Sequence, residues 1–150
     1  MIPNPTKTIT FKVPIDKVKE AVENITTTLE KVNAGGYKLK EKNDMIDQYV
    51  FEKTETLSLG SNITLELSPV GDQTQVNIEV SRVIGSFDQG YEVTNAMNHI
   101  KNVTKAILWY LNPEESQEQM TQEASVNETG NSIMVVMAIV VGFLMLGVIL

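Results

Sequence analysis

Residues 8–32 read TITFKVPIDKVKEAVENITTTLEKV, and this stretch decides the fold class. Its first residues alternate, with Ile9, Phe11 and Val13 on one face and polar side chains between them, as in a half-buried β-strand. Pro14 ends the strand because it has no backbone N–H to donate. The following apolar residues recur three or four positions apart and are Ile15, Val18, Val22, Ile25, Leu29 and Val32. This spacing predicts one amphipathic helix that ends before the glycine pair at residues 35–36.

Four further strand-like runs follow this helix and are joined by short turns. They cover residues 37–42, 47–53, 62–70 and 74–83. A second amphipathic helix comes after a glycine-containing connector, with apolar residues at Val93, Met97, Ile100, Val103, Ile107 and Leu111. The order β-α-β4-α predicts an α+β domain at residues 1–111, in which an antiparallel sheet packs on two helices. Val22, Ile25, Ile78 and Ile100 are expected to share its core.

The junction at residues 13–18, VPIDKV, resembles the START-like helix-grip superfamily. Members of that superfamily begin with a strand, a proline and a helix that carries an acidic residue and a valine early on; the matching positions here are Val13, Pro14, Asp16 and Val18. The resemblance covers residues 6–111 and implies a ligand cavity between the sheet and the C-terminal helix. Members usually have more strands after the first helical region than the four counted here, and those strands help to wall the cavity. A compact domain with a filled core is therefore the alternative.

A cavity of this kind would be lined by the apolar faces of the strands and of the second helix. The candidate ligand-binding residues are Tyr49, Phe51, Leu65, Ile78, Arg82 and Met97. Arg82 continues the apolar series of the last strand and is the candidate partner of an anionic ligand group, near a mouth closed by residues 85–90. Glu41 is in phase with Tyr37 and Leu39 and has the same inward direction. The alternative for both charged residues is a strand end that reaches solvent.

The residue types give little support for catalysis. The chain has no cysteine, which excludes disulfides and thiolate chemistry. His99 is the only histidine, so a histidine pair for zinc is impossible. Its position at the flank of a helix predicts a solvated or structural role. Motifs for a nucleophilic serine or for phosphate binding are absent from the sequence, so no metal or cofactor is predicted and an enzyme is a distant alternative.

The charge of the chain is uneven. Residues 1–111 hold all 12 Lys and Arg against 14 Asp and Glu, whereas residues 112–132 hold five Glu and no base. This charge balance lacks the excess of basic residues that is typical of nucleic-acid binding. Lys38, Lys40 and Lys42 alternate along one short strand, which predicts a one-sided basic row. Such a row usually protects a sheet edge, and it could also contact anionic lipid headgroups at a membrane surface.

Residues 133–150, IMVVMAIVVGFLMLGVIL, carry no charged or strongly polar side chain. As a helix they would cover roughly 27 Å, close to the hydrocarbon thickness of a bilayer. This predicts a C-terminal, single-pass membrane anchor, joined to the domain by an acidic flexible linker at residues 112–132. The absence of a signal peptide places the domain in the cytoplasm by default. Ala138 and Gly142 form a small-residue pair that predicts a weak dimer of anchors.

These observations together predict a membrane-tethered, non-enzymatic binding module. Its ligand would be a hydrophobic or lipid-like molecule held between the sheet and the second helix. The alternative is a filled domain that presents its surface to a protein partner at the membrane.

Overall fold

The computed structural model describes residues 2–55 and 58–112. Its elements in chain order are β1 (Thr6–Phe11), α1 (Ile15–Glu23), α2 (Ile25–Lys31), β2 (Tyr37–Asn43), β3 (Gln48–Glu55), β4 (Ser58–Val70), β5 (Gln73–Arg82) and α3 (Gly90–Leu111). Among these residues, none of the helices has the length and apolar character needed to span a bilayer. Apart from Asn112, the predicted linker lies outside the described residues, as do the predicted anchor and its pair Ala138 and Gly142.

The five strands form one antiparallel sheet in the order β1-β5-β4-β3-β2. β2 to β5 follow one another as hairpins, and β1 returns to pair with β5 from Thr6↔Glu79 to Phe11↔Thr74. The predicted α+β class and the strand count are confirmed, including the four strands that follow the first helical region.

The helix predicted from the spacing of residues 15–32 is two helices, so the prediction of two helices in the domain is wrong by one. Asn24 separates α1 from α2, with φ −102° and ψ 10°. Its side-chain amide donates to the carbonyl of Glu20 at 2.8 Å, and Thr28 Oγ1 donates to the carbonyl of Asn24 at 3.0 Å. Short polar side chains of this kind compete with the helical hydrogen bonds, which explains a break that apolar periodicity does not reveal.

The core lies between one face of the sheet and the three helices. Val22, Ile25, Ile78 and Ile100 all belong to it, as predicted. The strands contribute the alternate residues of β3, β4 and β5, which are Tyr49, Phe51, Ile63, Leu65, Leu67, Val76, Ile78 and Val80. Full burial of one such side chain contributes about 1.5–3 kcal/mol, so this cluster holds the helices on the sheet.

β2 is an edge strand with a bulge between Leu39 and Glu41. Lys42 pairs with Tyr49, whose side chain is buried on the inner face. Because directly opposed residues of antiparallel strands share a face, the bulge turns Lys42 inward and Glu41 outward. Glu41 is exposed, so the alternative in which it reaches solvent is confirmed over the inward direction, and Leu39 is 51% exposed.

The bulge also breaks the predicted one-sided row of lysines. Lys42 Nζ lies 3.1 Å from Oε1 of Glu23 on α1, whereas Lys40 reaches Glu52 on the opposite face at 4.0 Å. Lys38 precedes the bulge and is exposed. The three lysines thus do not form one surface, and their contact with lipid headgroups stays a prediction.

Candidate ligand-binding site

A pocket of ≈ 760 Å³ lies where β5 ends and α3 begins. Residues of the sheet, of the connector before α3 and of the first turns of α3 line it. Its lining residues are Lys53, Thr54, Glu55, Ser61, Arg82, Phe87, Tyr91, Glu92, Asn95 and His99. The volume falls within the range of small-molecule sites, about 300–1,000 Å³.

Arg82 alone among the predicted ligand-binding residues lines this pocket. Tyr49, Phe51, Leu65 and Ile78 are buried in the core, and Met97 packs against that core. The prediction placed the cavity beneath the apolar strand faces, whereas the described pocket lies beyond them, at the polar end of the sheet. Close packing of apolar side chains explains why the two positions differ. A ligand contact by these five residues stays a prediction.

The direction of Arg82 follows from the register of the β4–β5 hairpin. The pairs run without a shift from Val70↔Gln73 to Ser61↔Arg82, so Arg82 keeps the inward phase of Val80. The side chain is 25% exposed. Arg82 is also the last residue of β5, and its contact with a ligand stays a prediction.

The guanidinium of Arg82 ties the sheet to the start of α3. Its Nη1 lies 2.7 Å from Oε2 of Glu92 and donates to the carbonyl of Ser86 at 3.0 Å. Glu92 Oε1 accepts the backbone N–H of Gln89 at 3.0 Å as part of a capping box. Glu92 therefore caps α3 and holds Arg82 at once.

The polar wall of the pocket is a hydrogen-bonded group of four side chains centred on Glu55, and the other three are Ser61, Asn95 and His99. Glu55 Oε1 accepts hydrogen bonds from Ser61 Oγ at 2.8 Å and from His99 Nε2 at 2.7 Å, and Glu55 Oε2 accepts one from Asn95 Nδ2 at 3.0 Å. These donors come from β4 and α3. A partly buried carboxylate needs such partners, so the three bonds fix Glu55 in place and compensate its charge.

His99 links this wall to β2. The ring is 5% exposed, and its Nδ1 lies 2.6 Å from the hydroxyl of Tyr37, which in turn accepts a bond from Asn102 at 3.2 Å. The neutral tautomer with its proton on Nε2 satisfies every contact, since Nε2 then donates to Glu55 and Tyr37 donates to Nδ1. Both ring nitrogens are thus engaged, and the structural role predicted for His99 is confirmed over the solvated one.

The burial of Tyr37 raises the pKa of its hydroxyl. The negative charge of Glu55 adds to this effect, and the hydrogen bond from Asn102 works against it. The phenol is therefore held in its neutral, donating form, as the network requires.

Lys53 occupies the inner face of β3 beside this network. Its Nζ donates to the carbonyl of Gly35 and lies 5.0 Å from the ring centroid of Tyr37. A carbonyl and an aromatic face thus hold the ammonium group.

Comparison with known proteins identifies the architecture. No family model and no curated protein matches the chain. A solved protein of Nitrosospira multiformis shares 13% identity at a TM-score of 0.54, covering 70% of this chain and 93% of its own. Ara h 8.0201 shares 14% identity at a TM-score of 0.54, covering 70% and 94%, and TTHA0849 of Thermus thermophilus shares 13% at 0.50, covering 70% and 94%.

The chain has a START-like helix-grip fold. The resemblance drawn from residues 13–18 is thereby confirmed, and α3 is the long helix held by the sheet. Identities this low establish the fold alone, so what the helix-grip domain binds has to be argued from its own residues.

Six polar residues of the pocket were not predicted from the sequence, namely Lys53, Thr54, Glu55, Ser61, Glu92 and Asn95, and a signal in the sequence could have found three of them. Lys53 and Glu55 continue the inward series of Tyr49 and Phe51, and Ser61 precedes Ile63 in the same phase. The strand alternation that drew attention to Arg82 applies equally to these three residues. Asn95 on α3 carries no comparable signal. Among the residues that the structure describes, no cluster of acidic or histidine side chains is arranged to hold a metal ion.

Proposed function

We propose that this protein is a binding module that holds a small hydrophobic or lipid-like ligand, with a polar end, in the pocket beside α3. The observation that carries the proposal is the pocket of ≈ 760 Å³ with a hydrogen-bonded polar wall around Glu55. Tyr91 lines the same pocket and, at 74% exposed, offers aromatic surface, whereas Phe87 lines it but is 2% exposed. A concave site with apolar surface and a few convergent polar groups is typical of small-molecule binding.

The module acts by binding rather than by catalysis. The support for this is that both nitrogens of His99 take part in hydrogen bonds within the protein, to Tyr37 and Glu55. Both ring nitrogens are therefore directed at protein groups rather than at a ligand. Arg82 is likewise held by Glu92.

The second part of the proposal is attachment to a membrane, and it rests on the sequence alone. Residues 133–150 are apolar throughout and would anchor the chain in a bilayer. An intervening coil of 21 residues has an end-to-end distance of roughly 25 Å and reaches about 70 Å when extended. The pocket would stay close to the membrane, where the local concentration of lipid-like ligands is high.

A ligand panel tests the binding function. The full chain in lipid nanodiscs is mixed with fatty acids and isoprenoids, and bound species are followed by native mass spectrometry and by melting temperature. Asn95→Trp fills the pocket from an exposed position of α3, and Asn98→Trp adds the same bulk at an exposed position of α3 outside the pocket.

The wild type and Asn98→Trp should bind the same species, and Asn95→Trp should lose them. Absence of any bound species on the wild type would overturn the proposal. Equal binding by Asn95→Trp would show that the pocket is not the site.

A further inference from the structure

The charged side chains that line the pocket balance one another. Lys53 and Arg82 are cationic, and Glu55 and Glu92 are anionic. Both nitrogens of His99, which also lines the pocket, are hydrogen-bonded to Tyr37 and Glu55. The two basic and the two acidic side chains among the described lining residues therefore carry no net formal charge.

Each of these charges is also held from within the protein. Arg82 and Glu92 form a salt bridge at 2.7 Å. Glu55 accepts three side-chain hydrogen bonds, and Lys53 lies on a carbonyl and a tyrosine ring. A ligand charge entering this pocket would lose hydration without meeting an excess of the opposite sign.

We propose that the pocket selects an uncharged amphipathic ligand whose polar end is a hydroxyl group, over carboxylate and ammonium compounds of the same size. This inference rests on the proposed binding function and specifies its ligand class. A hydroxyl group can donate one hydrogen bond and accept others, so it can use an acidic and a basic residue together.

The geometry of β3 offers that pair. Lys53 and Glu55 both line the pocket, on either side of a register shift between β3 and β4. A hydroxyl between them donates to Glu55 and accepts from Lys53. The apolar body of the ligand then lies against the exposed ring of Tyr91.

The test compares four probes with six-carbon chains: 1-hexanol, hexanoate, hexylammonium and the zwitterion 6-aminohexanoate. The full chain in nanodiscs is titrated at neutral pH, and binding is followed by the NMR shifts of the Ser61 and Asn95 backbone amides. These signals report the pocket itself, so uptake of a probe by the lipid does not count as binding. Hexanol is expected to bind about tenfold more tightly than either charged probe.

Two substitutions should reverse the preference by changing the pocket charge. Glu55→Gln leaves one positive charge in excess, so hexanoate should become the tightest ligand. Lys53→Met leaves one negative charge in excess, so hexylammonium should become the tightest ligand. Lys17→Met removes the same charge from an exposed site on α1 and should keep the preference for hexanol. Unchanged core resonances confirm that each variant is folded.

The outcomes separate this inference from the proposed function. Tighter binding of hexanoate, hexylammonium or the zwitterion to the wild type would overturn the inference and leave the binding module intact. An unchanged order of affinities in both Glu55→Gln and Lys53→Met would also overturn it. If none of the probes shifts the two amide signals and no fatty acid or isoprenoid binds, both this inference and the proposed binding function are wrong.

Discussion

His99 on α3 donates through Nε2 to Oε1 of Glu55 on β3 over 2.7 Å, although the two residues are 44 positions apart in the chain. The same ring accepts a hydrogen bond from Tyr37 on β2, so one buried side chain joins the long helix to two strands. Because Glu55 also lines the pocket, the contact that stabilises the fold holds the polar wall of the candidate site.

Removal of the Tyr37 hydroxyl tests the stabilising part of this network. Tyr37→Phe keeps the ring and leaves Nδ1 of the buried His99 without its donor, which should cost about 1–3 kcal/mol of unfolding free energy. Urea denaturation of residues 1–112, which contain every residue of the described core, measures it. Tyr91→Phe, at a residue that is 74% exposed, is the control and should stay within about 0.5 kcal/mol of the wild type. Equal losses in the two variants would contradict a structural role of the hydroxyl.

The raised pKa of Tyr37 predicts a pH dependence. Burial raises the pKa of this hydroxyl above the ordinary 10.0, so its contribution to stability is complete below that pH and is lost as the pH rises through the folded-state value. The stability difference between the wild type and Tyr37→Phe should therefore shrink as the pH rises above about 10. Denaturation curves over this range give the difference directly. A constant or growing difference would mean that the folded protein does not favour the neutral phenol.

Truncation of a core side chain should be costly. Ile78 is fully buried between strands and helices, so Ile78→Ala is expected to lose about 2–5 kcal/mol in denaturant melts. Ile46 is 55% exposed in the turn before β3, and Ile46→Ala should change the stability by less than about 0.5 kcal/mol. A loss below about 1 kcal/mol at Ile78 would show that the assigned inner face of β5 is wrong.

A glycine beside the pocket has no room for a side chain. Gly60 has a φ of +107°, and a Cβ there would lie 2.6 Å from the carbonyl oxygen of Lys53. Gly60→Ala should therefore cost about 1–3 kcal/mol and weaken ligand binding, because Lys53 and Ser61 would move. Gly90 has open space around its Cβ position, so Gly90→Ala should leave both properties nearly unchanged. Thermal melts and the ligand titration measure the two effects, and equal behaviour of the variants would refute the argument.

The apolar tail predicts how the protein partitions. The full chain should be recovered in membrane or detergent fractions, and residues 1–112 should be soluble, monomeric and folded. Fractionation of cells that express each form is the measurement. Recovery of the full chain as a detergent-free monomer would rule out the anchor at residues 133–150.

Local patterns in the sequence were enough for the five strands, the α+β class and most of the core. Alternation and helical spacing are properties of neighbouring residues, and Ile25, Ile78 and Ile100 are buried as those patterns predict. The inward phase of Arg82 belongs to the same kind of information.

Only the tertiary structure decided the break at Asn24, the bulge between Leu39 and Glu41, and the composition of the pocket. A bulge reverses the faces of every later residue on its strand, and its position depends on pairing with β3 rather than on the strand's own residues. Glu55 and His99 meet because the sheet register and the position of α3 bring distant residues together. Periodicity within one element shows which face a residue occupies, and the packing of elements against one another sets which residues it contacts.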